Sequence, residues 1–246
     1  MELPQDKKVI KVRANKVVYD CGDFVAKVYN ATKPPAGVFN EALNLTRAEQ
    51  SGLDVTPIVE VSKVDGSWSL ITKKVEGKTM RELGDEDHER RPELTRQFVE
   101  LQLDVHKYTN DLMPRQQDKY TRMINSVTEV LDESTRYDLL MRLDGMSNHQ
   151  NICHGDFVPS NVIVREDGSY CICDWAHASQ GDGAADCAVS YLRFRLRGAD
   201  EFAENYIRTY CELSGTSMET VENWFPIVAG AELARGRVIE KDFLLS

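Results

Sequence analysis

A chain of 246 residues with 40 acidic and 30 basic side chains carries a formal net charge of −10, which leaves no basic face to neutralise a nucleic-acid backbone. Its hydrophobic fraction of 41% is ordinary for a globular protein, no apolar run is long enough to span a bilayer, and residues 1–6 show neither part of a secretory leader. The six cysteines, at 21, 153, 171, 173, 187 and 211, match no zinc spacing, so the expectation is a cytoplasmic protein with reduced thiols, no nucleic-acid partner and no membrane association.

The first 75 residues alternate short strand-like runs with turns. Residues 9–12, 17–19, 24–29, 58–61 and 68–72 are β-prone, and Cys21-Gly22-Asp23 and Asp65-Gly66-Ser67 supply tight turns between pairs of them. One helix interrupts the strands, because Val38, Ala42 and Leu45 recur at helical spacing over 38–48 and Gly52 offers a left-handed stop. Glu41 opens this helix as a first-turn acid. In a strand over 24–29, Val25 and Lys27 share a face.

Beyond residue 76 the pattern becomes helical. The acidic stretch 85–89 is expected as a solvated loop. From Pro92, a favourable first-turn proline, Leu94, Phe98, Leu101, Val105 and Tyr108 form an amphipathic series. Met123, Ile124, Val127, Val130 and Leu131 make a second stripe. Phe202, Tyr206, Ile207, Tyr210 and Leu213 mark a helix ending near Gly215, and Thr216 with Glu219 predicts a capping box opening a last long helix.

Between these helices lies the stretch with the most chemistry. Residues 154–161 read H-G-D-F-V-P-S-N, and Asp174 follows after two β-prone runs separated by Glu166-Asp167-Gly168. An Asp-Gly pair between such runs predicts a hairpin, whose pairing brings Asn161 and Asp174 together at its open end. Two oxygen ligands suit Mg²⁺, which completes its shell with water and phosphate oxygens. A nearby carboxylate, Asp156, can accept a proton from an attacking hydroxyl. Together these residues describe a phosphoryl-transfer site.

The H-G-D-x-x-x-x-N motif and the Asp174-Trp175 pair resemble the aminoglycoside phosphotransferase family of small-molecule kinases, and the G-D-G-A-A-D run ending at Asp186 resembles it too. The resemblance implies an α+β, bilobal protein-kinase-like fold. A small N-terminal antiparallel sheet with one helix (1–75) would bind nucleotide, and a larger, mainly helical lobe (76–246) would hold catalysis and substrate. By that resemblance Asp156 orients or deprotonates the acceptor hydroxyl, Asn161 and Asp174 hold Mg²⁺ on the β- and γ-phosphates, and His154 braces the loop. Asp186 would cap a helix and tie it to the catalytic loop, while His106 would buttress the core. Lys27 resembles the third-strand lysine that contacts the phosphates, with Glu41 as its partner. Lys73 and Val75 would offer a backbone acceptor and donor to the base of ATP or GTP. One departure stands out: no G-x-G-x-x-G precedes Lys27, and the loop reads Arg13-Ala14-Asn15-Lys16.

The implied activity moves the γ-phosphate of ATP or GTP to a hydroxyl of a small molecule, in a monomer or weak homodimer. The net charge favours a cationic acceptor and the resemblance an aminoglycoside-like one, whose ammonium groups would pair with carboxylates among Glu201, Glu204, Glu232 and Glu240, the choice among them left open. Choline-like amines, amino sugars and nucleosides are alternatives, as is a catalytically silent nucleotide-binding regulator.

Overall fold

A computed structural model describes residues 2–235 and 238–245, and the side chains of all these except 238–240. The strands are β1 (Lys8–Val12), β2 (Lys16–Asp20), β3 (Phe24–Tyr29), β4 (Ile58–Val64), β5 (Ser67–Lys73), β6 (Lys78–Thr79), β7 (Asn151–Cys153), β8 (Val162–Val164), β9 (Tyr170–Ile172) and β10 (Ser179–Gly181). The helices are α1 (Pro35–Gln50), α2 (Met80–Glu86), α3 (Arg91–Val105), α4 (Gln116–Ser126), α5 (Glu133–Asp144), α6 (Gly183–Arg195), α7 (Asp200–Ser214), α8 (Met218–Glu222), α9 (Phe225–Leu233) and α10 (Val238–Leu245).

The chain forms two compact units, residues 1–85 with 159–177, and residues 86–158 with 178–246. These are not the lobes 1–75 and 76–246 read from the sequence. The β8–β9 hairpin returns to the first unit because β8 pairs with β6, and because the Ile172 amide donates to the Asp54 carbonyl at 3.0 Å.

In the first unit five antiparallel strands take the order β1-β2-β3-β5-β4. Alternation along each strand divides its side chains between two faces. Tyr29 and Leu70 pack with Val38 and Ala42 of α1, while Ala26 and Ile71 pack with Cys21 in a separate cluster. Lys27 lies between Ala26 and Val28 in β3, so it faces the same way as Tyr29. The helix starts at Pro35, three residues before the expected 38. Glu41 therefore lies in its second turn, 1% exposed, and is not a first-turn acid at the solvent. Thr79 and Glu82 form a reciprocal capping box at α2, with the Thr79 amide 2.7 Å from Glu82 Oε2.

In the second unit α6 is the central helix, with every residue from Gly183 to Phe194 buried. Its Phe194 packs with Phe98 and Tyr206, and the Phe98 and Phe157 rings stack at 4.6 Å. The stripe from Met123 to Leu131 is not one helix. It stops at Ser126, and Asp132 then caps α5 by accepting from the Thr135 amide at 2.7 Å. The last long helix is also divided. Ser217, not Thr216, is the cap of the short α8, and Pro226 opens a separate α9. Ile124, Val127 and Leu131 are buried all the same, so the apolar pattern located core without locating the breaks.

Candidate active site

Asp174 is placed by the β8–β9 hairpin. The Gly168 amide donates to the Arg165 carbonyl at 3.0 Å, Gly168 has φ +82°, and Val162 pairs with Ile172. One step further the Cys173 amide donates to the Asn161 carbonyl at 2.8 Å. Asn161 thus lies across from Cys173, the residue before Asp174. The chain then turns sharply, because Asp174 itself has φ +68°, a left-handed conformation costing a non-glycine residue about 1 kcal/mol. Trp175 holds it there. Its side chain is fully buried, its Nε1 donates to the Ile172 carbonyl at 2.9 Å, and its own carbonyl accepts from Asn44 of α1 at 3.4 Å.

Lys27 meets two carboxylates. Its Nζ is 2.8 Å from Glu41 Oε1 and 3.2 Å from Asp174 Oδ1. Burial disfavours the Lys27 ammonium, but Asp174 and Glu41 outweigh it and raise its pKa well above the ordinary lysine value. Burial likewise disfavours the Asp174 carboxylate, yet Lys27 and Lys16 hold its pKa well below the usual carboxylate range. Lys16 reaches it from the start of β2, with Nζ 3.3 Å from Asp174 Oδ2.

Lys73 closes β5, its amide donating to the Pro57 carbonyl at 2.8 Å, and the Lys74 amide donates to the Asp23 carbonyl at 3.0 Å. Lys74 Nζ joins Asp20 at 3.2 Å and Glu76 at 3.1 Å. This anchors the connector around Val75.

In the second unit the H-G-D loop is ordered by Asp186. Its Oδ1 accepts from the Gly155 amide at 2.7 Å, and its Oδ2 from the His154 amide at 3.2 Å and from Gln102 at 3.2 Å. His106 Nε2 lies 3.1 Å from the same oxygen. Burial raises the Asp186 pKa, but His106, His154 and the Gly155 amide bring it down to about 2. Asp182, not Asp186, caps α6, accepting from the Ala184 amide at 2.8 Å. Gly155 has φ +73°, which explains glycine in the middle of the motif. His154 is fully buried, and its Nδ1 accepts from the Asp156 amide at 3.2 Å.

Asp156 is 22% exposed at its side chain and meets Arg193 of α6, with Nε 3.4 Å from Oδ1. Arg193, 3% exposed, also pairs with Glu232 at 2.6 Å, and Glu232 with Arg235 at 3.0 Å. Four charges of alternating sign therefore run from the H-G-D loop to just past the end of α9.

With this geometry in view, the sequence matches the phosphotransferase enzyme family over residues 13–224. The chain belongs to that family. Solved structures agree on its fold. An ADP-bound aminoglycoside phosphotransferase APH(2″)-Ib superposes with a TM-score of 0.66 at 14% identity, over 98% of this chain and 92% of that one. A ternary complex of a thermostable APH(4)-Ia mutant with ADP and hygromycin B gives 0.69 at 14% identity, over 97% and 88%. LicA in complex with AMP gives 0.64 at 15% identity, over 98% and 86%. No curated protein sequence matches the chain. The α+β, kinase-like fold expected from the motif is the fold of this phosphotransferase.

Sequence reasoning missed the positions of Arg193 and Lys16 in this phosphotransferase. Arg193 lies in the last turn of α6, where a basic residue reads from the sequence as an ordinary complement to the helix dipole, so no local signal sets it apart. The carboxylates expected to meet a cationic acceptor are largely engaged within the chain. Glu232 is buried between two arginines, and Glu204 accepts from Tyr191 at 2.7 Å and faces Arg195 at 3.5 Å. Glu201 is exposed, and the Glu240 side chain lies outside the described residues.

Proposed function

We propose that this phosphotransferase moves the γ-phosphoryl group of ATP or GTP to a hydroxyl of a small molecule. The observation that carries the reading is Asp174, held in a left-handed turn with Lys27 bridging it to Glu41. A lysine fixed by two carboxylates has its ammonium positioned before a phosphate arrives, which lowers the cost of binding one. Asp174 and Asn161 form an all-oxygen donor pair that fits Mg²⁺. Among the described residues no group of three His, Cys, Asp or Glu is placed to hold a metal, so further ligands would come from water and phosphate. Mg²⁺ held there would neutralise charge on the β- and γ-phosphates.

The chain's own residues have separate tasks in this proposal. Val75 offers its amide and Lys73 its carbonyl to the base. Lys27 binds phosphate oxygens. Asp156, five residues before Asn161 in sequence, takes the acceptor's hydroxyl proton onto a carboxylate oxygen as the hydroxyl oxygen attacks phosphorus. The bond from the γ-phosphorus to the bridging oxygen breaks, leaving ADP or GDP and a phosphate monoester. Positioning and charge supply most of the rate in such transfers.

The net charge of −10 supports a cationic, aminoglycoside-like acceptor through long-range attraction. The ion pairs already made by Glu232 and Glu204 support amines with fewer charges, amino sugars or nucleosides instead. Release of ADP or GDP across a panel of aminoglycosides, amino alcohols, sugars and nucleosides tests the reading. Acceptor-dependent release supports it. Tight nucleotide binding with no acceptor-dependent release from any class would instead indicate a silent nucleotide-binding regulator.

A further inference from the structure

Two further lysines surround the pair that Lys27 makes. Lys16 Nζ lies 3.3 Å from Asp174 Oδ2 and 3.9 Å from Glu41 Oε1, with a side chain only 13% exposed. Lys33, in the loop before α1, sends its Nζ to 5.7 Å from the Tyr29 ring centroid, and Lys16 Nζ stands at the same 5.7 Å from that ring. Lys33 is half-buried and makes no ion pair among the described residues. Burial pushes its pKa down; Glu41 and Asp174 draw it up, and Lys16 and Lys27 press it down further.

The path of Lys33 is built into α1. A Cβ on Gly37 would stand 2.9 Å from Lys33 Cε and 3.4 Å from its Nζ. The lysine's stem thus lies against the backbone of the first turn, with its head beside Tyr29.

Three ammonium groups here face two carboxylates, in a chain whose net charge is −10. The hairpin turn at 13–16, where a glycine-rich loop would present backbone amides to phosphate, has no glycine and ends at Lys16. An excess of ammonium groups beside a turn unable to form such a cradle calls for a polyanion.

We propose that Lys16 and Lys33 bind the β- and γ-phosphates of the nucleoside triphosphate, supplying through side-chain charge the contacts a glycine-rich loop makes through backbone amides. The inference rests on the phosphotransfer reading above and adds two phosphate ligands to Lys27.

Calorimetry on the full chain, with Mg·ATP, Mg·GTP and AMP as probes, tests it. Lys33→Met and Lys16→Met should each weaken the preferred triphosphate about ten- to a hundredfold, the worth of a charge-assisted hydrogen bond, and leave AMP within about twofold. Lys33→Arg should recover part of the loss. Lys33→Gln removes the same charge while keeping a polar end, and decides the matter if Lys33→Met folds poorly. Equal losses for AMP and triphosphate, or wild-type triphosphate affinity in Lys33→Met and Lys33→Gln, would overturn the inference and leave the kinase reading intact. A wild-type chain that binds neither Mg·ATP nor Mg·GTP would overturn both.

Discussion

Replacing Arg193 by methionine keeps much of the apolar stem and removes the guanidinium joining Asp156 to Glu232. Glu232 is then a carboxylate only 4% exposed, still paired with Arg235 at 3.0 Å and still within electrostatic reach of Lys119. Removing one member of a buried ion pair costs about 3–5 kcal/mol. Because Arg235 still neutralises part of the charge, the loss should fall toward about 2–3 kcal/mol. A domain with about 5–15 kcal/mol of stability survives that, so the variant should fold with a lower urea midpoint. Adding Glu232→Gln removes the stranded charge and should recover about 1–2 kcal/mol, a coupling that a double-mutant cycle isolates. The same variant frees Asp156 Oδ1 from its contact at 3.4 Å, so turnover should fall while nucleotide affinity stays unchanged. Urea unfolding followed by tryptophan fluorescence reads the first effect, and steady-state kinetics the second. A stability change below about 0.5 kcal/mol, the usual range for an ordinary surface substitution, with no recovery in the double variant, would refute the reasoning.

Asp174→Ala should abolish Mg²⁺-dependent nucleotide binding, and Asn161→Ala should weaken it less, because a carboxylate is the stronger ligand for a hard cation; identical Mg·nucleotide affinities in calorimetry for Asp174→Ala and the wild type would contradict this. Asp186, with its pKa depressed to about 2 in the folded chain against about 3.9 unfolded, contributes stability that is present above the unfolded value and lost as pH falls toward the folded one. Acid unfolding between about pH 5 and pH 2 should therefore remove about 2 kcal/mol through this group, and Asp186→Asn should flatten that part of the stability profile; an unchanged slope in the variant would count against the linkage.

The five strands of the larger sheet and the β8–β9 hairpin were legible because their signals are local. Residues 24–29 form β3 over the full expected span, and Asp167-Gly168 turns the chain as its composition requires. The likeness of H-G-D-x-x-x-x-N led to the family for the same reason: its meaning lies in spacing. What was not legible depends on contacts far along the chain. Val127 to Leu131 continue an apolar stripe whose helix has already ended at Ser126, since burial needs apolar residues and not an unbroken helix. The partner of Asp156 lies 37 positions away, at Arg193, and no local pattern announces it. Nothing local marks Lys16 or Lys33, whose ammonium groups both come to 5.7 Å from the Tyr29 ring. The division at 75 failed to anticipate that the segment carrying Asp174 folds back with the first unit, because pairing with β6 and with Asp54 is non-local.

Asp156 is where the chemistry is assigned, so following the γ-phosphate tests the account most directly. With nucleotide labelled at that phosphate, the wild-type chain should pass the label to an acceptor from the panel. Asp156→Asn should bind the nucleotide equally well and transfer the label about 10²–10⁴ times more slowly. Label that reaches only water, or that reaches the acceptor at the wild-type rate in Asp156→Asn, would contradict the account.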